Sequence, residues 1–151
     1  MEGYHAGGCQ CGRVRYRISN MMDNGHACHC RMCQKASGSL VMFWVSCPVS
    51  NLTWTRNMPE VFSSSDIAER SFCRDCGTTL TFRRIGRPHV SISIASLDKP
   101  QDVPLKFVWG VEARTDHFDM LDTVPSHKSD MDFITTEQAV LTSHQHPDHE
   151  T

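Results

Sequence analysis

Two segments of the chain alternate between apolar and polar residues with the two-residue period of a β-strand. From residue 14 to residue 18 the apolar residues alternate with arginines, and from residue 90 to residue 94 they alternate with serines. Each segment therefore predicts a strand with one face toward an apolar core and the other toward water or a second layer.

Three further segments read as strands because they are short, contain apolar residues and are separated by clusters of Gly, Pro, Asn and Ser. They are residues 40–45, 80–83 and 103–109. This spacing suits a mainly β domain of antiparallel sheets. Helix is expected to be a minor element, with one or two turns over residues 31–37 that end at Gly38 in a C-cap position.

The composition changes after Pro125, where Ser, Asp, Thr and His replace most of the apolar residues. A chain of 151 residues is long enough for one domain with a substantial core. We therefore predict one domain over residues 1–125 and an extension over residues 126–151 that is partly disordered or forms one short helix.

Charge and hydropathy argue against two classes of partner. The formal net charge is -2, from 15 Lys+Arg and 17 Asp+Glu, so no strong positive field would attract nucleic acid or anionic lipid. The first residues lack the charged start and apolar stretch of a secretory signal, and the apolar run at residues 40–45 is too short to span a bilayer. We expect a cytoplasmic protein that binds neither nucleic acid nor membrane.

Clustered cysteines are the strongest chemical signal in the sequence. Seven of the eight lie in three groups, namely Cys9-x-Cys11, Cys28-x-Cys30-x2-Cys33 and Cys73-x2-Cys76. In a reducing compartment such thiols are more typical of metal binding than of a disulfide framework. Zinc prefers four soft or borderline ligands in a tetrahedron, and thiolates one to three residues apart can reach one ion.

The two outer pairs together supply four thiolates, which is the ligand set of a closed structural zinc site. Such a site would join Cys9 and Cys11 to Cys73 and Cys76, across a long stretch of chain. In the second pair the glycine that follows the last ligand, Gly77, is typical of a zinc knuckle, where the backbone needs the freedom of glycine while amides point at sulfur.

The central group, Cys28, Cys30 and Cys33, supplies three ligands and no fourth within its own motif. Three protein ligands with an exchangeable fourth position are typical of catalytic zinc. Two alternatives stay open: a second structural site closed by His26 or His29, and a redox dithiol formed by Cys30 and Cys33. Three thiolates also reduce the Lewis acidity of the ion, which favours binding of a thiol or a small carbonyl over peptide hydrolysis.

Four ordered blocks of the sequence carry a family resemblance. They are Gly8-Cys9-Gln10-Cys11-Gly12 with Val14-Arg15-Tyr16, Cys28-His29-Cys30-Arg31-Met32-Cys33 with Gln34-Lys35-Ala36-Ser37-Gly38, Phe72-Cys73-Arg74-Asp75-Cys76-Gly77-Thr78, and Ala95-Ser96-Leu97-Asp98. From about residue 7 to residue 109 the chain resembles the glutathione-dependent formaldehyde-activating enzyme family, which includes the centromere protein V domain.

The resemblance implies a β-tent, in which antiparallel sheets join over a structural zinc and a second zinc is bound more weakly near a substrate cleft. It assigns Cys9, Cys11, Cys73 and Cys76 to the structural ion, and Cys28, Cys30 and Cys33 to the catalytic one. The implied reaction is a carbon–sulfur lyase or synthase step that joins glutathione to formaldehyde or cleaves S-hydroxymethylglutathione.

The chain departs from the family pattern in one region. A His-Ile-Trp-like segment reads Phe107-Val108-Trp109 here, and residues 113–120 replace a Leu-Pro-Trp-like segment. Glutathione carries two carboxylates, and Arg31 and Lys35, beside the central cysteines, are candidate contacts for them. The alternative from another class is a non-catalytic zinc module that binds a partner molecule.

Overall fold

The computed structural model describes residues 1–128 and 143–149, and within these residues the protein is mainly β. It contains ten strands and two short α-helices, connected by turns and four 3₁₀ segments. The strands are β1 Tyr4–Gly8, β2 Arg15–Ser19, β3 Gly25–Cys28, β4 Met42–Pro48, β5 Leu52–Arg56, β6 Glu60–Ser65, β7 Ala68–Phe72, β8 Thr79–Arg84, β9 His89–Ser93 and β10 Leu105–Trp109. The helices are α1 Arg31–Ser37 and α2 His117–Met120.

The strands form two sheets. A three-stranded sheet has the order β1-β2-β5, and a seven-stranded sheet has the order β10-β3-β4-β9-β8-β7-β6. Neighbouring strands are antiparallel except for β10, which runs parallel to β3 at the edge of the larger sheet. The mainly β class and the scarcity of helix are confirmed, and the parallel edge strand is a feature that the expectation of antiparallel sheets did not include.

The main core contains apolar side chains from both sheets. Tyr16 and Ile18 of β2 are at most 1% exposed, and Val45, Leu80 and Ile92 of the larger sheet are fully buried. Two cysteines of the predicted four-thiolate site, Cys9 and Cys73, belong to the same cluster. The outer cysteine pairs therefore sit at the edge of the main core rather than in a separate lobe.

The alternating pattern of β2 is correct for its apolar residues and wrong for one arginine. Arg15 was expected on the polar face, but its side chain is 3% exposed. Both of its terminal nitrogens donate to Asp98, at 2.8 and 2.5 Å, and the guanidinium also donates to the carbonyl oxygen of His149. A bidentate pair of this kind compensates the charge of an arginine that lies inside the protein.

The helix predicted over residues 31–37 is confirmed with the same bounds. Gly38 follows it with a φ of 67°, and its backbone N–H donates to the carbonyl oxygen of Gln34. This left-handed C-cap is the conformation that glycine adopts without steric cost. Within the described residues no helix is long and apolar enough to cross a bilayer.

The chain divides into two compact units. One comprises Met1–Arg114 with Gln145–Thr151, and the other comprises Thr115–His144 and contains α2. The predicted boundary at residue 125 stays a prediction. Most of the residues for which an extension with a short helix was expected, 129–142 together with 150 and 151, lie outside the described part of the chain.

Candidate metal centres

The outer cysteine pairs converge in space. Cys9 and Cys11 lie in the turn between β1 and β2, and Cys73 and Cys76 lie in the turn between β7 and β8. Their four sulfur atoms all lie within 4.8 Å of one another, with Cys9 Sγ 3.5 Å from Cys11 Sγ and Cys11 Sγ 3.9 Å from Cys73 Sγ. Four sulfurs this close can serve as the ligands of a single metal ion.

The turn between β7 and β8 explains how the second pair reaches this position. The N–H of Gly77 donates to the carbonyl oxygen of Cys73, and the N–H of Cys73 donates to the carbonyl oxygen of Thr78. Gly77 has a φ of 75°, the left-handed conformation predicted for the residue after the last ligand. These bonds bring Cys73 and Cys76 to the same side of the turn.

Hydrogen bonds and burial act in opposite directions on the thiols of this four-cysteine cluster. Burial raises the pKa of Cys11 to about 12. Burial also opposes ionisation of Cys76, but hydrogen bonds from the Thr78 hydroxyl and from the backbone amides of Thr78 and Cys11 lower its pKa to about 6. The thiols alone therefore do not all ionise at neutral pH, whereas a coordinated divalent cation keeps its thiolate ligands deprotonated.

The central group forms a second cluster. Cys28 ends β3, Cys30 directly precedes α1, and Cys33 lies in the first turn of α1, so that the three sulfur atoms are within 4.8 Å of one another. Cys28 and Cys33 are buried and pack with Met42 and Trp44 in an apolar cluster separate from the main core. The apolar side chains of Met42 and Trp44 therefore border the three-cysteine cluster.

The electrostatic surroundings of the three thiols differ. Burial raises the pKa of Cys28 to about 12. Burial also opposes ionisation of Cys30, but the Cys33 amide, the two neighbouring thiols and the positive charge of Arg70 lower the pKa of Cys30 below its ordinary value.

Strand β10 holds the backbone around the three-cysteine cluster. Trp109 pairs with Cys28 in the parallel ladder, and the N–H of His29 donates to the carbonyl oxygen of Trp109 at 2.9 Å. The next residue, Gly110, packs so closely that a Cβ atom there would lie 2.6 Å from the backbone nitrogen of Cys30. The position of Cys30 therefore depends on the absence of a side chain at residue 110.

Neither histidine considered as a fourth ligand joins the three sulfurs. His26 stacks on Phe107, with ring centroids 4.6 Å apart, and its Nδ1 lies 2.9 Å from the carbonyl oxygen of Asn24. His29 is buried, but neither of its ring nitrogens lies within 4.8 Å of all three sulfurs. Among the described residues no further Cys, His, Asp or Glu completes a tetrahedron with Cys28, Cys30 and Cys33.

A cavity of about 430 Å³ lies beside α1, where Met32, Lys35 and Ala36 line it. Of the two candidate substrate contacts, Lys35 lines this cavity, whereas Arg31 does not and instead donates to the side-chain oxygen of Gln34 at 3.1 Å. The three sulfur atoms are not among the lining groups. Arg70 connects the cavity with the three-cysteine cluster, because its side chain lines the cavity and its Nη2 lies 3.5 Å from Cys33 Sγ.

Arg70 was not among the site residues predicted from the sequence. It lies on β7, three residues before Cys73, and its side chain is 6% exposed. Ala68, Arg70 and Phe72 alternate along one face of β7, but an isolated arginine in such a pattern reads as a polar position. The register of the sheet, which pairs Arg70 with Phe62 and Phe82, reveals its burial.

The fold and the two clusters define a class of protein: a mainly β domain with one four-cysteine cluster and one three-cysteine cluster, both able to bind metal ions. A model of the glutathione-dependent formaldehyde-activating enzyme (GFA) family matches residues 4–109. The chain belongs to this family.

Similar proteins carry names in keeping with this family. Two fungal relatives share the name "Putative glutathione-dependent formaldehyde-activating enzyme". The one from Phaeosphaeria nodorum is 35% identical over 54% of this chain and 43% of its own length, and the one from Penicillium rubens is 34% identical over 58% of this chain and 49% of its own length. An uncharacterized lyase of Schizosaccharomyces pombe is 30% identical over 52% of this chain and 56% of its own length. The chain thus spans about half the length of these relatives.

A solved structure shares the fold. The crystal structure of a Rhodobacter sphaeroides protein, a structural genomics target, superposes with a TM-score of 0.56 at 23% sequence identity. The match covers 69% of this chain and 98% of that one. At this identity the likeness establishes the fold alone.

Proposed function

We propose that the protein is a zinc-dependent carbon–sulfur lyase of the GFA type, which forms or cleaves adducts between a small thiol and a small aldehyde. The observation that carries the proposal is the open three-cysteine cluster, with three sulfurs within 4.8 Å and no fourth ligand among the described residues. Family membership and the names of the relatives support glutathione and formaldehyde as the reactants, with S-hydroxymethylglutathione as their adduct.

The donor atoms of both clusters suit zinc. Thiolate sulfur is a ligand that zinc prefers, and the four-cysteine set matches closed structural sites. We assign Cys9, Cys11, Cys73 and Cys76 to a structural ion, and Cys28, Cys30 and Cys33 to a catalytic one. When bound to the three-cysteine cluster, zinc supplies Lewis-acid and template chemistry.

The proposed reaction forms one carbon–sulfur bond. The thiol sulfur adds to the carbonyl carbon of the aldehyde, and the thiol proton ends on the oxygen that becomes the hydroxyl group; cleavage is the reverse. The apolar side chains of Met42 and Trp44 beside the cluster would limit access of water, since both are at most 6% exposed. Exclusion of water strengthens polar interactions with the substrate.

The cavity beside α1 is the proposed site for the body of the thiol substrate. Two of its hydroxyls already donate inside the protein, from Ser64 to the carbonyl oxygen of Ala68 and from Thr79 to that of Ala36. Lys35 remains as an exposed cation on the cavity wall. We therefore propose that Lys35, rather than Arg31, binds a carboxylate of glutathione.

A rate assay tests the proposal. Purified zinc-loaded protein is mixed with glutathione and formaldehyde, and adduct formation is compared with the spontaneous reaction and with Cys30→Ser. Cys47→Ala serves as the control, because Cys47 is a buried thiol outside both clusters. We expect a rate above background for the native protein and the control and none for Cys30→Ser.

A native rate equal to background would remove glutathione and formaldehyde as the reactants. The remaining candidate would then be a non-catalytic zinc-binding module. The cytoplasmic location stays a prediction.

A further inference from the structure

Arg70 is a buried cation in the middle of a sheet. It lies on β7 between Phe62 of β6 and Phe82 of β8, which are its partners in the strand register, and its side chain is 6% exposed. An arginine side chain keeps its positive charge in proteins. Something near Arg70 must therefore compensate that charge.

The aromatic neighbours of Arg70 are not enough to compensate its charge. Its guanidinium carbon lies 4.8 Å from the ring centroid of Phe82 and 5.9 Å from that of Trp44. Cation–π contacts contribute about 0.5–2 kcal/mol each, whereas removing a cation from water costs several kcal/mol. Among the described residues Arg70 has no carboxylate partner, and its Nη1 is buried without a hydrogen-bond acceptor.

The remaining neighbour is a sulfur atom. Nη2 of Arg70 lies 3.5 Å from Cys33 Sγ, within hydrogen-bond distance for sulfur. If the three-cysteine cluster is a metal site, as the proposed function holds, three thiolates with a divalent cation carry one net negative charge. The single positive charge of the guanidinium cancels it, so the metal-bound cluster and Arg70 compensate each other's charge.

The four-cysteine cluster offers a comparison. Its sulfurs accept hydrogen bonds from neutral groups, with the backbone N–H of Val14 3.2 Å from Cys9 Sγ and the Thr78 hydroxyl 3.3 Å from Cys76 Sγ. The three-cysteine cluster differs, because one of its sulfurs, Cys33 Sγ, lies beside a positively charged donor.

We propose that Arg70 is the counter-ion of the three-cysteine cluster and a positioning residue for Cys33. Its charge offsets the excess negative charge of three thiolates, and its hydrogen bond withdraws electron density from the Cys33 sulfur. Both effects favour an additional anionic ligand, such as an incoming thiolate, in the fourth position. Loss of Arg70 weakens metal binding at this cluster by about 10- to 100-fold, as loss of outer-shell partners does at other metal sites.

Metal competition tests the inference without measuring turnover. The native protein, Arg70→Met and Arg70→Lys are loaded with zinc and titrated with a chromophoric chelator, and the four-cysteine cluster in each protein serves as an internal reference. Arg83→Met is the matched control, since Arg83 lies on the adjacent strand β8 and is 3.7 Å from Glu69. Like Arg70→Met, the Arg83→Met variant removes one positive charge from the seven-stranded sheet.

We expect Arg70→Met to release the weaker ion at about 10- to 100-fold lower chelator concentration, Arg70→Lys to restore part of the affinity, and Arg83→Met to match the native protein. The sulfur-to-cobalt charge-transfer band of cobalt-loaded protein should change in Arg70→Met and not in Arg83→Met.

Equal affinities and equal cobalt spectra for Arg70→Met and the native protein would overturn the inference. Equal weakening of both clusters would also overturn it, because it would mark a structural role for Arg70. Neither result depends on an active enzyme, so a failure of the proposed function, seen as a native rate equal to background, is distinguishable from a failure of the role given to Arg70.

Discussion

Lys35 and Arg31 lie one helical turn apart on α1 but have different surroundings. Arg31 donates to Gln34, whose buried amide also donates to the carbonyl oxygens of His29 and Ala113. Lys35 lines the cavity. Both are exposed cations close in sequence to the three cysteines, so their positions in the sequence do not show which of them lines the cavity. The two side chains leave the helix in different directions, and this difference decides it.

Substitution at these two positions should affect substrate binding unequally. Lys35→Met is expected to raise KM for glutathione about tenfold or more, since a hydrogen bond to a charged group contributes about 1.5–3 kcal/mol. kcat should change little, because the contact is to a carboxylate of glutathione and not to the sulfur or carbonyl carbon that react. Steady-state kinetics of Lys35→Met and its matched control Arg31→Met measure the difference; a larger rise in KM for Arg31→Met would contradict the assignment.

At the scale of elements, the three-cysteine cluster depends on three segments: β3, α1 and the end of β10. Helix α1 was predictable, because the cysteine spacing and Gly38 define a ligand-bearing helix directly from residue order. Strand β3 was not among the predicted strands. The contribution of β10 was not predictable. It requires a parallel pairing between residues such as Cys28 and Trp109, which are far apart in the chain. Periodicity in a sequence carries no information about which strands become neighbours.

Gly110→Ala tests this dependence on β10. Gly110 has a φ of 69°, and an added Cβ would approach the backbone of Cys30 to 2.6 Å. Gly86→Ala is the control, with a φ of 77° and nothing within 4 Å of the added carbon. Both variants carry the cost of a left-handed alanine, about 1–2 kcal/mol, and Gly110→Ala should lose a further 1–3 kcal/mol from overpacking.

The measurements are denaturant unfolding and retention of the more weakly bound metal. We expect Gly110→Ala to lose that ion more readily than Gly86→Ala does. Equal stability and equal metal retention in the two variants would show that β10 does not position Cys30.

At the scale of the molecule, the two metal centres lie in different settings. Cys9 and Cys73 belong to the main core, whereas Cys28 and Cys33 belong to a separate, smaller apolar cluster. Ligands within the main core are held by the packing of both sheets, which suits an ion that stabilises the fold. Ligands beside a small cluster and a cavity suit an ion that has to meet a substrate.

The most direct test of this account is a metal analysis combined with a chelator titration of the native protein, Cys30→Ser and Cys76→Ser. We expect two zinc ions per native chain, of which a mild chelator removes one without unfolding the protein. Cys30→Ser should keep only the resistant ion, and Cys76→Ser should lose stability together with that ion. One ion per native chain, or two ions that resist the chelator equally, would contradict the assignment of a closed and an open site.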